Sequence, residues 1–398
     1  MHPSEAIKCT KGRELEGRRI VLGITGSIAA VETFELVREL MRHGADVRVV
    51  MTSEAVKLVT PYAMEFASGN KVITALTGEV EHVELFGDYP GRADMLLVAP
   101  CTANTISKMA LGIDDTPVTT MATVAIGSRT PVLVAPAMHL AMYENPAVQD
   151  NVGRLVSMGA RFVGPVVRGK KARVATIQEI VDAVLSTFVV RDLVGKRVLI
   201  IGGSTEEPID DVRVVTNTGT GETAILLARA AAMRGAKVEL WTGRMSVPVP
   251  SGTDGRTFST VEELVDMVGD VDHDAVIVPA SLSDYAPEPA EGKLASGKRS
   301  LTLTLRPLPK VLPLLRPRTT ALVGFKAEIG VSAPQLVRRA RARLEEYGLD
   351  LIVANDLRDV SAGRTRAVLV TSSAKQAFEG TKADLANLIL DEVAKVLG

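Results

Sequence analysis

Four stretches in the first half of the chain set hydroxyls, amides and glycine at the ends of apolar runs. Thr25-Gly26-Ser27-Ile28-Ala29-Ala30 follows Ile20–Ile24, and Met51-Thr52-Ser53 closes the next run. Pro100-Cys101-Thr102-Ala103-Asn104-Thr105 follows Met95–Ala99, and Pro136-Ala137-Met138-His139 follows Val132–Ala135. A glycine turn between a strand and a helix offers backbone N–H groups and small hydroxyls at the positive end of that helix, an arrangement suited to phosphate. The same Ser, Thr and Asn residues would also serve as plain helix caps. Four such ends in one half favour a shared crevice at the carboxyl edge of a sheet, where open α/β folds bind ligands. The first turn is not a G-x-G-x-x-G dinucleotide fingerprint, which argues for a mononucleotide. His82, in Glu79-Val80-Glu81-His82-Val83-Glu84, adds a group able to exchange protons near neutral pH, although a surface histidine on an acidic loop has the same look.

The second half repeats the theme with different residues. Gly202-Gly203-Ser204-Thr205 follows the run Arg197–Ile201, and Thr216-Asn217-Thr218-Gly219-Thr220-Gly221 precedes a helical pattern over Glu222–Arg234. Gly219 and Gly221 with interleaved threonines make a second phosphate cradle, or a long polar loop ending in a cap. It lacks the GK[ST] ending of a Walker A loop. Pro279-Ala280-Ser281-Leu282-Ser283-Asp284-Tyr285 then sets an acid just past an apolar strand, and Glu291-Gly292-Lys293-Leu294-Ala295-Ser296-Gly297-Lys298 follows as a basic loop. A carboxylate near a metal or ribose and a lysine on a phosphate suit nucleotide chemistry, while a solvated charge is the plainer reading of Lys293 alone.

These turns need a scaffold, and short apolar runs alternating with helical periodicity supply one. Strands are expected at Ile20–Ile24, Asp46–Met51, Met95–Ala99 and Val132–Ala135, and again at Arg197–Ile201, Lys237–Trp241, Ala275–Pro279, Ala321–Phe325 and Asp350–Ala354. Helices are expected at Ile28–His43, Glu54–Ser68, Ala103–Leu111, Pro146–Met158 and Ile177–Thr187. The fold class is α/β: two doubly wound, mainly parallel-sheet Rossmann-like domains, over residues 1–190 and 191–398. The boundary falls near Arg191, where a new strand and glycine turn begin. No residue-level repeat relates the halves. A length of 398 residues suits two domains, and 46% hydrophobic with 23% charged residues is an ordinary globular mixture. A net charge of -1 disfavours nucleic acid as the main partner. Two cysteines, Cys9 and Cys101, make no disulfide framework. No apolar run approaches the roughly 20 residues of a membrane helix, and the first residues carry no signal-peptide core. A cytoplasmic protein without membrane partners is expected.

Taken together, GITGSIAA, VVMTSEAVKLVTP, APCTANTISKMALGIDDT and PAMHLAMYENP resemble the flavin mononucleotide-dependent cysteine decarboxylase family over about residues 18–185. That resemblance implies a flavodoxin-like half in which Gly26, Ser27, Thr52, Thr102 and Asn104 hold FMN and its phosphate, and His82 is the active-site base. Met138 and His139 would meet the substrate; His139 stands where the family carries an asparagine that contacts the substrate carboxylate. The implied reaction oxidises the substrate's cysteine side chain to a thioaldehyde, loses carbon dioxide, and reduces the resulting ene-thiol, with flavin supplying both electron transfers. Bacterial members carry a flap cysteine that the stretch Gly164–Arg173 lacks, and Cys101 is not assigned that role.

GGSTEEPIDDVRVVTNTGTG, SDYAPE, GFKAE and LDLIVANDL, in that order, resemble the phosphopantothenate–cysteine ligase family over about residues 195–397. The implied half is ribokinase- or Rossmann-like. By that likeness Asn217 assists turnover of an acyl-cytidylate and Lys293 engages the phosphates. Gly219, Thr220, Gly221, Ala280, Asp284 and Phe325 would hold the nucleotide, with Asp284 also at Mg²⁺, and Asn355 and Asp356 would lie nearby. The substrates implied are 4'-phosphopantothenate, L-cysteine and CTP, with ATP as the alternative nucleotide. The family's basic loop is kept only at Lys293; Ala295 and Ser296 replace its later lysines, and Lys298, Lys310 or Lys326 are the replacements to test. A homo-oligomer with trimeric decarboxylase and dimeric ligase contacts is expected. A non-catalytic scaffold is the competing reading, distinguished by a colourless, inert first domain. A flavin prenyltransferase would have no use for the second half.

Overall fold

The computed structural model describes residues 2–168, 171–250, 253–295, 300–361 and 363–398, with backbone alone for 166–168 and 171–173. The chain forms two compact units, Met1–Val189 and Val190–Gly398.

The first unit is built on strands β1 (Arg19–Ile24), β2 (Asp46–Met51), β3 (Met95–Cys101), β4 (Val132–Pro136) and β5 (Arg161–Phe162). Their order is β2-β1-β3-β4-β5 and every pairing is parallel. β3 and β4 are buried at every residue, as continuous apolar runs in a sheet covered on both faces must be. Helices α1 (Thr33–Arg42), α2 (Ser53–Val56), α3 (Pro61–Ser68), α4 (Glu81–Phe86), α5 (Ala103–Leu111), α6 (Pro117–Gly127), α7 (Leu140–Tyr143), α8 (Pro146–Ser157) and α9 (Ile177–Phe188) surround it. A ribbon of β6 (Val166–Arg168) and β7 (Lys171–Arg173) precedes α9.

Two helix expectations need correction. The segment expected as one helix over Ile28–His43 opens with a 3₁₀ turn, Ile28–Glu32, before α1. The segment expected over Glu54–Ser68 is two helices, because Pro61 cannot continue α2 and instead starts α3 beneath a Thr60 cap. His82 lies on α4 and not on a loop.

The second unit carries β8 (Arg197–Gly202), β9 (Glu206–Pro208), β10 (Val214–Thr216), β11 (Lys237–Thr242), β12 (Ala275–Val278), β13 (Tyr285–Pro287), β14 (Leu305–Pro307), β15 (Ala321–Glu328), β16 (Leu351–Asp356), β17 (Arg364–Val370) and β18 (Lys375–Thr381). Its main sheet has the order β11-β8-β12-β15-β16-β17-β18, parallel through β16 and antiparallel beyond. Ribbons β9–β10 and β13–β14 lie outside it. On one face α10 (Glu222–Met233) and α14 (Lys382–Leu397) bury Leu227, Ala231, Ile389 and Leu390 against Ile200 and Val323. On the other, α11 (Val261–Met267), α12 (Val311–Leu315) and α13 (Ala333–Tyr347) bury Leu264, Leu315 and Ala340 against Leu199, Trp241 and Leu322. Both units are thus α/β with mainly parallel sheets. Among the described residues no helix is long and apolar enough to cross a membrane.

Candidate active sites

In the first unit the polar turns are bonded to one another. Buried Thr25, just past β1, donates its hydroxyl to Pro100 O at 2.8 Å, and its Oγ1 accepts from Thr102 N at 3.0 Å. Thr52 N donates to Ile24 O at 3.1 Å, and Ala137 N to Cys101 O at 2.9 Å. The ends of β2, β1, β3 and β4 therefore form one continuous edge. Thr52 and Thr102 cap α2 and α5, their hydroxyls accepting from Ala55 N at 3.2 Å and Thr105 N at 3.3 Å. Between them lies Gly26, where an added Cβ would sit 2.5 Å from Glu54 Cβ. Ser27 makes no side-chain capping bond. Asn104 is exposed on the first turn of α5.

His139 is exposed and caps α7, its Nδ1 accepting from Ala141 N at 3.3 Å. With Nδ1 as acceptor the neutral ring carries its proton on Nε2, a donor comparable to an asparagine amide. Met138 is half-buried against the core. His82 is half-buried on the first turn of α4, fastened by buried Leu85 and Phe86. Its buried Nδ1 has no hydrogen-bond partner. Among the described residues no hydrogen bond joins His82 to the turns after β1–β4. Its neighbour Glu81 is engaged with Thr77, whose hydroxyl and N–H hold the carboxyl below its ordinary range. Cys101 is fully buried, and desolvation pushes its thiol far above the usual range, which makes it a poor proton donor. The flap's Gly169 and Lys170 lie outside the described residues, as do the side chains of its Val166–Arg168 and Lys171–Arg173.

The second unit assembles its turns in the same way. Ser204 N donates to Arg244 O at 2.9 Å and Ser281 N to Gly203 O at 2.8 Å, while Ala280 N reaches Ile201 O at 3.0 Å. The Asn217 amide donates to Ser281 O at 3.1 Å. At Gly219 an added Cβ would fall 2.7 Å from Ser281 Oγ and 2.9 Å from Ser204 Oγ, and at Gly221, with φ +81°, 2.3 Å from Met245 Cε. Gly221 is favoured by its left-handed backbone, and at Gly219 a side chain would displace the two serine hydroxyls. Thr220 Oγ1 accepts from Glu222 N at 3.3 Å at the start of α10. Thr205 and Ser283 share a hydroxyl bond of 3.0 Å, one residue before Asp284.

Asp284 is paired with Lys310. Lys326 is paired with Glu328 at 3.4 Å. Lys293 is exposed, with no partner among the described residues, and Ser296 and Lys298 lie outside them. Phe325 sits on β15, half-buried against the α10–α14 face. Asn355 ends up at the carboxyl end of β16, half-buried. Asp356 is committed elsewhere: Arg358 and Gly330 N occupy its carboxylate, and the guanidinium holds it well below the usual range. The sequence reading missed Asp210 and Arg213, whose pairing at 2.8 Å closes the turn before β10.

A model of the flavoprotein family matches residues 8–189, and one described as the DNA/pantothenate metabolism flavoprotein C-terminal domain matches residues 193–397. Over its whole length the chain is 44% identical to the coenzyme A biosynthesis bifunctional protein CoaBC of Thermococcus kodakarensis, all of which is covered. It is 36% identical to the coenzyme A biosynthesis bifunctional protein CoaBC of Methanocaldococcus jannaschii, over 100% of this chain and 98% of that one. The chain belongs to the CoaBC family. A solved DNA/pantothenate metabolism flavoprotein from Streptococcus pneumoniae is 26% identical, covering 50% of this chain and 99% of that one with a TM-score of 0.47. As a CoaBC, the chain is a bifunctional enzyme of coenzyme A biosynthesis with lyase and ligase activity, and its first unit is a flavoprotein.

The residues present suit a flavin phosphate. Gly26 packs so closely on Glu54 that its backbone stays bare of a side chain, Ser27 and Asn104 carry polar side-chain groups with no bond among the described residues, and two helix starts lie at the same edge. Mg²⁺ is less well provided for. Among the described residues no group of three or more His, Cys, Asp or Glu is placed to hold a metal, so Asp284 fits Mg²⁺ only as one carboxylate beside the triphosphate's own oxygens.

Proposed function

We propose that residues 191–398 of this CoaBC join 4'-phosphopantothenate to L-cysteine through an acyl-cytidylate made from CTP, and that residues 1–190 decarboxylate the product to 4'-phosphopantetheine. The observation that carries the reading is the bonding of the polar turns into one edge in each unit, with glycines where a phosphate needs close backbone approach.

In the ligase unit Gly219, Thr220 and Gly221 cradle the nucleotide at the start of α10, with Ala280 and Phe325 beside it. Lys293 offsets phosphate charge as pyrophosphate leaves. Asn217, held by Ser281 O, orients the acyl-nucleotide for attack by the amine of cysteine. Asp284 would be a carboxylate ligand for Mg²⁺, which would offset triphosphate charge, and Lys310, paired with Asp284, would be a second phosphate partner in place of the incomplete loop.

In the decarboxylase unit FMN supplies the electron transfers. Gly26, Ser27, Thr52, Thr102 and Asn104 hold its phosphate and ring, His139 and Met138 meet the substrate, and His82 moves the proton. The flavin site would be shared between subunits of a homo-oligomer. Ile28, 74% exposed, and Tyr62, 83% exposed, are apolar surface available for such a contact. A cytoplasmic location goes with these substrates.

The test is pyrophosphate release by the full chain given phosphopantothenate, cysteine and either CTP or ATP. Cysteine-dependent product formation with CTP favoured is expected. Equal rates with both nucleotides would remove the CTP assignment, and no release with either would remove the ligase reading.

A further inference from the structure

One carboxylate joins two segments of the ligase unit that are far apart in sequence. The Asp210 side chain is fully buried. Its Oδ1 accepts from Val212 N at 2.9 Å and Arg213 N at 2.7 Å, which closes its own turn. Its Oδ2 accepts from Arg213 Nη1 at 2.8 Å and from Leu294 N at 3.0 Å, across 84 residues of chain. Further bonds run alongside: Arg213 Nη1 to Leu294 O at 3.3 Å, Asp211 N to Gly292 O at 3.4 Å, and Ala290 N to Ile209 O at 3.0 Å.

A buried anion is tolerated only when donors fill its oxygens, and here four N–H groups do so. The two oxygens have separate tasks. Oδ1 shapes the turn, and Oδ2 ties that turn to the residue after Lys293. From the turn, β10 leads to Thr216, whose hydroxyl donates to Thr205 O at 2.7 Å, and to Asn217 on Ser281 O. One buried charge, together with the backbone bonds beside it, thus sets the spacing between the Asn217 segment and the Lys293 segment. Lys293 itself has no side-chain partner among the described residues, so its backbone anchor decides where its ammonium can reach.

We infer that Asp210 is a positioning residue for ligation: through Oδ2 it fixes the Lys293 segment against the Asn217 turn, and so places the lysine on the triphosphate. The inference rests on the role proposed above for Lys293. Glycine-turn geometry alone would not require it, since Oδ1 suffices to close the turn.

Asp210→Asn separates the two tasks. Asparagine keeps one oxygen for Val212 N and Arg213 N, but its amide nitrogen cannot accept from Leu294 N or the guanidinium. In the full chain, Asp210→Asn, Lys293→Gln and the double variant are compared by cysteine-dependent pyrophosphate release, with kcat and KM for CTP determined separately. Trp241, the single tryptophan and fully buried in this unit, reports its fold by fluorescence. Asp210→Asn is expected to lower kcat/KM for CTP by about tenfold to a hundredfold, with native Trp241 emission and unchanged carbon dioxide release from supplied phosphopantothenoylcysteine. The double variant is expected to stay within about twofold of Lys293→Gln alone. Losses that multiply, with Lys293→Gln itself impaired, would overturn the inference and leave the role of Lys293 standing. Loss of native Trp241 emission in Asp210→Asn would assign the residue to stability and also overturn it. A neutral Lys293→Gln would remove the role of Lys293 and the inference together.

Discussion

His82→Asn is expected to cut carbon dioxide release from phosphopantothenoylcysteine by about a hundredfold to ten-thousandfold, the range typical of losing a general acid or base. Asparagine matches the polarity of the ring but cannot take up a proton near neutral pH. The substitution sits half-buried on the first turn of α4, whose attachment depends on buried Leu85 and Phe86, so the fold should persist. His82 Nδ1 has no hydrogen-bond partner among the described residues to fix the ring in one tautomer. A ring left free in this way suits a residue that passes a proton to a ligand better than one that holds a fold together. Bound flavin and pyrophosphate release should both be unchanged. Undiminished decarboxylation in the variant would remove His82 from the reaction.

Asn217→Asp should have the largest effect on the other activity, lowering cysteine-dependent amide formation by about a hundredfold or more. The Asn217 amide donates to Ser281 O, and an aspartate there has no proton to give, so two oxygens would face each other. The new negative charge would also stand beside a triphosphate and an acyl phosphate. Nucleotide activation is expected to survive better than amine attack, so the acyl-nucleotide should accumulate and be detectable by mass spectrometry of quenched reactions. Decarboxylation of supplied phosphopantothenoylcysteine should not change. Normal amide formation by this variant would dismiss Asn217 as the residue that aids turnover.

The strands were the most readable part of the chain, because a strand buried on both faces must be apolar throughout. The runs ending at Ile24, Ala135 and Ile201 all lie in largely buried strands. Helices were less readable where two cues conflicted. Thr60-Pro61 ends one helical pattern and starts another, and a period count alone runs through it. Helix α6 was missed because Thr, Val and Ala surround it evenly and leave no polar face to mark a period. Strands β17 and β18 were missed because their alternation of charged and apolar residues belongs to an antiparallel edge, and the pattern sought was parallel.

The candidate sites divide in the same way. Gly26, Thr52, Thr102, Gly219 and Gly221 were legible as strand and helix ends, since turn chemistry is local. Their linkage was not. Thr25 meets Pro100 and Thr102 across more than 70 residues, Asp284 meets Lys310, and Asp210 meets Leu294. Such pairings depend on which strands are neighbours in the sheet, and no single segment records that.

Equilibrium titration of the flavin-stripped full chain with FMN and with riboflavin, followed by flavin fluorescence, bears most directly on the phosphate-gripping turns. FMN is expected to bind on the order of a hundredfold more tightly than riboflavin, and Gly26→Ala, which drives a methyl group into Glu54, is expected to abolish that advantage. Equal affinity for the two flavins in the unaltered chain would contradict the account, because the turns after β1, β2 and β3 would then hold no phosphate.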